Sequence, residues 1–231
     1  YNGLFAVAYK IPTIIVLMSN IFMDAWQMSA VSDSPDKRAS FFTRVFLFYQ
    51  SLICTAASGL ILFSKVITMI LVSDSFYESW KYIPLLLLST IFSCMSTFLG
   101  SVYMVEKKSM LNFITTGIGA VINVVLNFLF IPIFGVNGAA FATFLSYFVV
   151  FVLRVIDTRR FIPMHFHPMR LTFNTLVLLA QAFIMIFEVK GWIFFELILT
   201  VLMVVANMSA LLATVAQLLL KRRPHPQHHE E

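Results

Sequence analysis

Charge is what this chain has least of. Asp, Glu, Lys and Arg make up only 12% of its residues, roughly half of the ~25% usual in soluble domains. Cysteine is scarce too: Cys54 and Cys94 both lie inside apolar runs, which excludes a disulfide scaffold and reads as small buried packing residues. Catalytic signatures are missing, with no G-x-S-x-G, H-E-x-x-H, P-loop, C-x-x-C or D-x-D anywhere in the chain. Gly117-Ile118-Gly119 lies within an apolar run and reads as helix-contact residues, not as a dinucleotide loop. The sequence therefore predicts neither an enzyme nor a cofactor. His165 and His167 make a poor metal site as a lone pair, and His225, His228 and His229 belong to a polar tail.

What is present is apolar surface, with 60% hydrophobic residues and a mean hydropathy of +0.89. It is concentrated in seven nearly uncharged runs, placed at 2–22, 44–63, 82–104, 110–133, 137–156, 171–188 and 192–220. A bilayer core of about 30 Å takes roughly 20 helical residues to cross. Continuous runs choose helices over the alternating strands of a barrel. The expected fold is all-α, a polytopic bundle of about seven transmembrane helices in a lipid bilayer. Residues 1–157 form one lobe, 158–220 two additional helices, and 221–231 a disordered tail. The chain opens at Tyr1, without Met and already apolar, which reads as a fragment lacking an N-terminal lobe.

The remaining charge marks sidedness. Twelve of the sixteen Lys and Arg follow spans one, three, five and seven, three (Lys65, Lys81 and Lys190) lie on the other side, and Lys10 falls within a span. The positive-inside rule then starts the chain outside and ends it in the cytoplasm, and the +5 charge follows membrane ends rather than nucleic acid. Arg154 reads as a headgroup anchor, and Glu196 as an acid that either snorkels or is protonated. Lys65 to Trp80 reads as an external interfacial stretch anchored by Tyr77, Trp80 and Tyr82, and Ser32-Asp33-Ser34-Pro35-Asp36 as a turn before a helix. Phe134 to Gly138 is so short that spans four and five must form a tight hairpin, with Gly138, Ala139, Ala140 and Ala142 allowing close approach.

Polar residues recur at helical spacing. In span one, Asn2, Ala6, Lys10, Thr13, Asn20 and Asp24 share one arc, opposite Leu4, Ile11, Ile15, Met18 and Phe22. Span three aligns Ser89, Ser93, Ser96 and Gly100, and span four aligns Asn112, Thr116, Gly119, Asn123 and Asn127. Span two offers Ser51, Thr55 and Ser58, and span five Thr143 and Ser146. Such stripes serve either as glue between helices or as the lining of a hydrated cavity; for spans one and four the cavity is expected. Lys10 is the sharpest case, because a mid-depth lysine costs about 2.5–3.5 kcal/mol unless it meets protein, water or an anion. Pro12 loosens the helix beside it. The expected cavity residues are Lys10, Thr13, Asn20, Asn112, Asn123 and Asn127, with a partner carboxylate or carbonyl as the structural alternative for Lys10.

Several segments taken together resemble a known family. They are Tyr9-Lys10-Ile11-Pro12, the run Tyr77-Glu78-Ser79-Trp80-Lys81-Tyr82-Ile83-Pro84, Asn123-Val124-Val125-Leu126-Asn127, the run from Ile131 to Thr143, and Arg154 with Asp157-Thr158-Arg159-Arg160. Over about residues 1–165 their order is similar to that of bacterial polysaccharide flippases, the O-antigen and capsule repeat-unit translocases of the multidrug/oligosaccharidyl-lipid/polysaccharide exporter superfamily. The resemblance implies the last seven of fourteen helices, most of the second lobe of a MATE-like fold plus two extra helices. It also implies a lipid-linked oligosaccharide as partner, moved by alternating access across the bacterial cytoplasmic membrane. Lys10 would then meet the pyrophosphate, and Asn112, Asn123 and Asn127 the sugar hydroxyls. One lobe alone would translocate nothing. The alternatives are a cation-coupled exporter of the same fold, which calls for a buried carboxylate where the deep ionisable residue is basic; a membrane-bound polymerase or glycosyltransferase; and a structural subunit.

Overall fold

The computed structural model describes the backbone of residues 2–27 and 35–221 and the side chains of 3–26 and 38–213. Most of the expected turn at Ser32 to Asp36, the side chain of Asn2 and the polar tail lie outside the described residues. Every long element is a helix. Among the described residues six helices are long and apolar enough to cross a membrane, and one of them counts twice.

That one is α6, Ser109–Thr158. Its 50 residues would reach about 75 Å at 1.5 Å per residue, more than two bilayer cores. Instead it folds back on itself at Gly135, whose φ of 57° leaves the helical region, a conformation that glycine tolerates without a Cβ penalty. Two arms, 109–134 and 136–158, then run antiparallel, with Asn123 bonded to Thr143 and Thr115 to Arg154. Seven crossings result, as the apolar runs predict.

The first crossing is two helices, α1 (Asn2–Ala8) and α2 (Pro12–Gln27). Pro12 lacks an N–H and its ring clashes with the preceding turn, so the helix breaks at Tyr9–Ile11 and restarts with proline in its first position. α3 (Pro35–Leu62) is followed by α4 (Ser64–Leu71) and a 3-10 turn at Asp74–Lys81. This is the stretch read as interfacial, yet Trp80 within it is 2% exposed and sits under the Lys65 ammonium at 4.0 Å. It is a packed cation–π partner rather than a headgroup anchor. Glu78 accepts from Lys81 in the same turn, and that bond holds the Lys81 ammonium above its ordinary pKa.

α5 (Ile83–Val105) is the central helix, buried on nearly all sides. It packs against α2, α3, the α6 hairpin and α7 (Pro168–Ile186), while α8 (Trp192–Lys221) lies along α3. α7 and α8 share the core of the other helices through Val177, Leu178, Ala182, Met185 and Met203. Lipid tails are as apolar as leucine, so shape and dispersion hold such contacts together. Aromatic rings supply much of that shape. Phe98 of α5 meets Trp26 at 5.0 Å, Phe46 at 5.3 Å and Tyr49 at 5.5 Å, joining α2, α3 and α5. Cys54 and Cys94 are buried free thiols in this packing. The outer faces carry Leu17, Phe113, Phe128, Ile156 and Val201, all well exposed, as lipid-facing residues should be.

The hairpin leaves no room for a methyl at Gly138, where a Cβ would stand 2.3 Å from the Phe130 carbonyl oxygen. Gly117 has open space at the same position and makes no helix contact, contrary to the sequence reading, whereas Gly119 is pressed against Val150. Gly138→Ala should therefore cost about 1–3 kcal/mol of stability, and Gly117→Ala should cost nothing or stabilise slightly. Thermal unfolding in detergent micelles measures both; equal effects would contradict the packed turn.

Candidate functional site

The polar faces of α5 and of the two α6 arms turn toward one another. Between them lies a cleft of about 430 Å³, bordered by Ser93, Ser96 and Thr97 of α5, Thr116 and Asn123 of the first arm, and Thr143, Tyr147 and Arg154 of the second. Helical periodicity puts them there: residues 143, 147, 150 and 154 recur within a narrow arc at 100° per residue, as do 112, 116, 119 and 123. Gly119 carries no side chain where Val150 crosses, so the arms approach closely enough to close the cleft on that side.

Arg154 sits at its inner end and is 4% exposed, so it is no headgroup anchor. Its Nε donates to Thr115 Oγ1 at 3.0 Å, Nη1 to the Ser96 carbonyl at 2.6 Å, and Nη2 to Thr116 Oγ1 at 2.9 Å and the Asn112 carbonyl at 3.3 Å. Four of its five N–H groups are thus used, each on a neutral oxygen, and no carboxylate pairs with it among the described residues. Gly100 makes the room, since a Cβ there would meet Arg154 Nη1 at 2.8 Å and Asn112 Oδ1 at 2.9 Å. The charge is solvated by the protein without being neutralised by it.

The predicted cavity residues divide into two groups. Asn112, Asn123 and Asn127 lie together on the first arm, where Asn127 Nδ2 donates to Asn123 Oδ1 at 2.9 Å and Asn123 Nδ2 donates to Thr143 Oγ1 at 3.4 Å. Lys10, Thr13 and Asn20 lie on the α1–α2 crossing, all exposed, while Ile11 and Ile15 on the opposite face pack inward. Lys10 borders a small, mainly apolar hollow of about 250 Å³ with Val7, Ile14 and Phe76, away from the arginine cleft. Thr13 donates back to the Lys10 carbonyl across the break.

Arg154 was legible as one more turn of the Thr143–Ser146 face, but its place near the end of an apolar span favoured the anchor reading. Two larger hollows, of about 490 Å³ beside His165–Pro168 and about 630 Å³ beside Gly135, border no buried charge. His165 and His167 are exposed, and no cluster of metal-ligating side chains occurs among the described residues.

A second polar seam joins α3, α7 and α8. Asn174 and Asn207 exchange two amide hydrogen bonds of 3.1 and 3.0 Å, both side chains fully buried. One further step along, Gln181 Nε2 donates to Glu196 Oε2 at 2.8 Å and to Thr200 Oγ1 at 3.1 Å, and Ser58 donates to the same hydroxyl at 3.3 Å. Glu196 is 0% exposed, which rules out the snorkelling alternative and supplies the buried carboxylate that the sequence had hidden.

Comparison with protein-family models, curated proteins and solved structures returns no match. The chain is a multi-pass membrane helix bundle with a polar cleft around an arginine.

Hydration of that cleft is directly measurable. Cysteine placed at Asn123 or Thr97 should react with a membrane-impermeant maleimide in intact vesicles, and cysteine at Phe128, which is 78% exposed on the apolar face, should not. Absence of reaction at positions 97 and 123, as at 128, would make the cleft a dry packing seam.

Proposed function

We propose that this protein forms one wall of a carrier for undecaprenyl-pyrophosphate-linked oligosaccharide repeat units, moving them across the bacterial cytoplasmic membrane by alternating access. The observation that carries the reading is Arg154, a membrane-buried guanidinium bonded only to neutral oxygens at the end of a cleft lined by hydroxyls and amides. A bound anion is the natural counter-charge for such a group, and hydroxyl and amide side chains suit sugar hydroxyls. The order of motifs from Tyr9 to Arg160 supports the same family. Asn123 and Asn127 then contact sugar, and Arg154 takes the anion-binding role first expected of Lys10 alone.

The exposed polar arc of α1–α2, with Lys10, Thr13 and Asn20, supports a second set of helices facing it as the other wall of the passage. In the orientation proposed from the basic residues, Arg154 opens toward the cytoplasm, where the lipid-linked sugar is made. A cation-coupled exporter of the same fold is the second reading. It is favoured by one observation, the sealed carboxylate Glu196, which removes the objection that the bundle holds no deep acid.

In a strain whose surface polysaccharide depends on the complete carrier, Arg154→Ala should lower export by about tenfold or more, a barrier change of ~1.4 kcal/mol. Lipid-linked repeat units should accumulate on the inner leaflet, with normal carrier levels in the membrane. Arg154→Lys should restore only part of the activity, since an ammonium keeps the charge but not the planar fork. Full export by Arg154→Ala and Lys10→Ala alike would remove the basis for a sugar-pyrophosphate substrate, whereas longer or shorter polymer chains at unchanged export would indicate a polymerase.

A further inference from the structure

The seam between α3, α7 and α8 holds two polar atoms that nothing among the described residues satisfies. Glu196 Oε1 and Gln181 Oε1 are both fully buried and both lack a hydrogen-bond partner among the described residues. Both are acceptors, and they belong to side chains already joined on their other atoms, where Gln181 Nε2 donates to Glu196 Oε2 at 2.8 Å. An acid and an amide joined this way lack one thing, a hydrogen on the second carboxyl oxygen. A proton on Glu196 Oε1 would make that oxygen a donor, and Gln181 Oε1, on the side chain already bonded to the other carboxyl oxygen, is an orphaned acceptor suited to receive it in a cyclic acid–amide pair.

No basic group competes for the role. The element carrying Gln181 offers the neutral amides Asn174 and Gln181, and its one cation, Arg170, is bonded to Ser209 toward the far end of α8 from Glu196. α3 offers the hydroxyl of Ser58 and the buried thiol of Cys54. The closest cation along the chain, Lys190, is exposed in the connection between α7 and α8, and Lys65 of α4 lies 3.6 Å from Glu188 and 4.5 Å from the Trp192 ring and is engaged there instead. Among the described residues no Lys, Arg or His forms an ion pair with Glu196. An ionised carboxylate at this depth would carry an unpaired charge and an unpaired oxygen together, which hydrocarbon surroundings penalise heavily.

We infer that Glu196, paired with Gln181 and backed by Thr200 and Ser58, is a membrane-buried proton-binding site, separate from the Arg154 cleft. The proton is a structural member of the α7–α8 seam. Its departure leaves a charge that the seam can accommodate only by admitting water or a cation, so proton release and separation of α8 from α3 are linked. This site is independent of which substrate the cleft binds.

Infrared difference spectroscopy of the complete protein in lipid, wild type against Glu196→Gln, reads the proton directly. The expected result is a carboxylic-acid C=O band at neutral pH that is absent from the variant, shifts in deuterated buffer and is unchanged by sodium. Glu196→Gln should fold as stably as wild type, because the introduced amide donates where the acid did. Gln181→Leu should move the band to the higher frequency of an unbonded acid. No band at neutral pH would overturn the proposal. A band that vanishes on adding sodium would replace it with a metal-ion site, and a band indifferent to Gln181→Leu would refute the paired geometry.

Discussion

A guanidinium cannot lose its proton, so burying one among helices forces the protein to surround it with oxygen. Arg154 meets that demand by drawing on three segments at once, α5 through the Ser96 carbonyl, the first arm of α6 through Asn112, Thr115 and Thr116, and its own arm as the carrier. Much of the local sequence follows from this. Gly100 is small because the guanidinium and the Asn112 amide occupy the space a methyl would need, and Gly119 is small because Val150 must cross there. The hairpin reverses at a glycine of positive φ so that residues 112–123 and 143–154 come into register.

The two halves of the bundle are held by different means. α2, α3 and α5 interlock through aromatic rings around Phe98, whose polar atoms find partners on α2, Tyr49 with the Ser19 hydroxyl and Trp26 with the Met23 sulfur. α7 and α8 attach through an amide ladder instead, with Asn174 and Asn207 reciprocally bonded and Gln181 bridging Glu196 to Thr200. In lipid a hydrogen-bonded amide pair fixes register, because any slip leaves both amides unpaired in hydrocarbon. The ladder therefore sets the position of α8 along α7 more sharply than its Leu, Val and Met residues could.

The architecture was legible because apolar runs of about twenty residues leave few choices in a bilayer. The break at Lys10 followed from Pro12, and the hairpin from Phe134–Gly138. Partnership was not legible. Asn112, Asn123 and Asn127 announced a polar face, but which helix they faced depended on the register of the hairpin, and only that register shows Arg154 among them. Gln181, Asn174 and Asn207 drew no attention in spans that looked generic, because each is a single polar residue in a long apolar run. Glu196 lay within one turn of Trp192, where an interfacial acid would be ordinary. Trp80 misled for the opposite reason, since a tryptophan near a span end suggests a belt residue although its ring serves as the seat for Lys65.

The cleft around Arg154 and the sealed acid at Glu196 lie on opposite sides of the α3–α5 pair. Arg154 touches α5 through Ser96, and the Glu196 cluster touches α3 through Ser58. Between them run packed rings: Phe151, one turn before Arg154, lies 6.3 Å from Phe46 of α3, and Phe46 in turn lies 5.3 Å from Phe98 of α5. Close-packed rings transmit displacement rather than absorb it. A motion that opens the α8–α3 seam must therefore either leave α3 where it is or carry Phe46, and with it the second arm of α6, along. Energetic linkage between a buried proton and the arginine cleft needs no wire of charges in this bundle; it needs only α3 to move as a body.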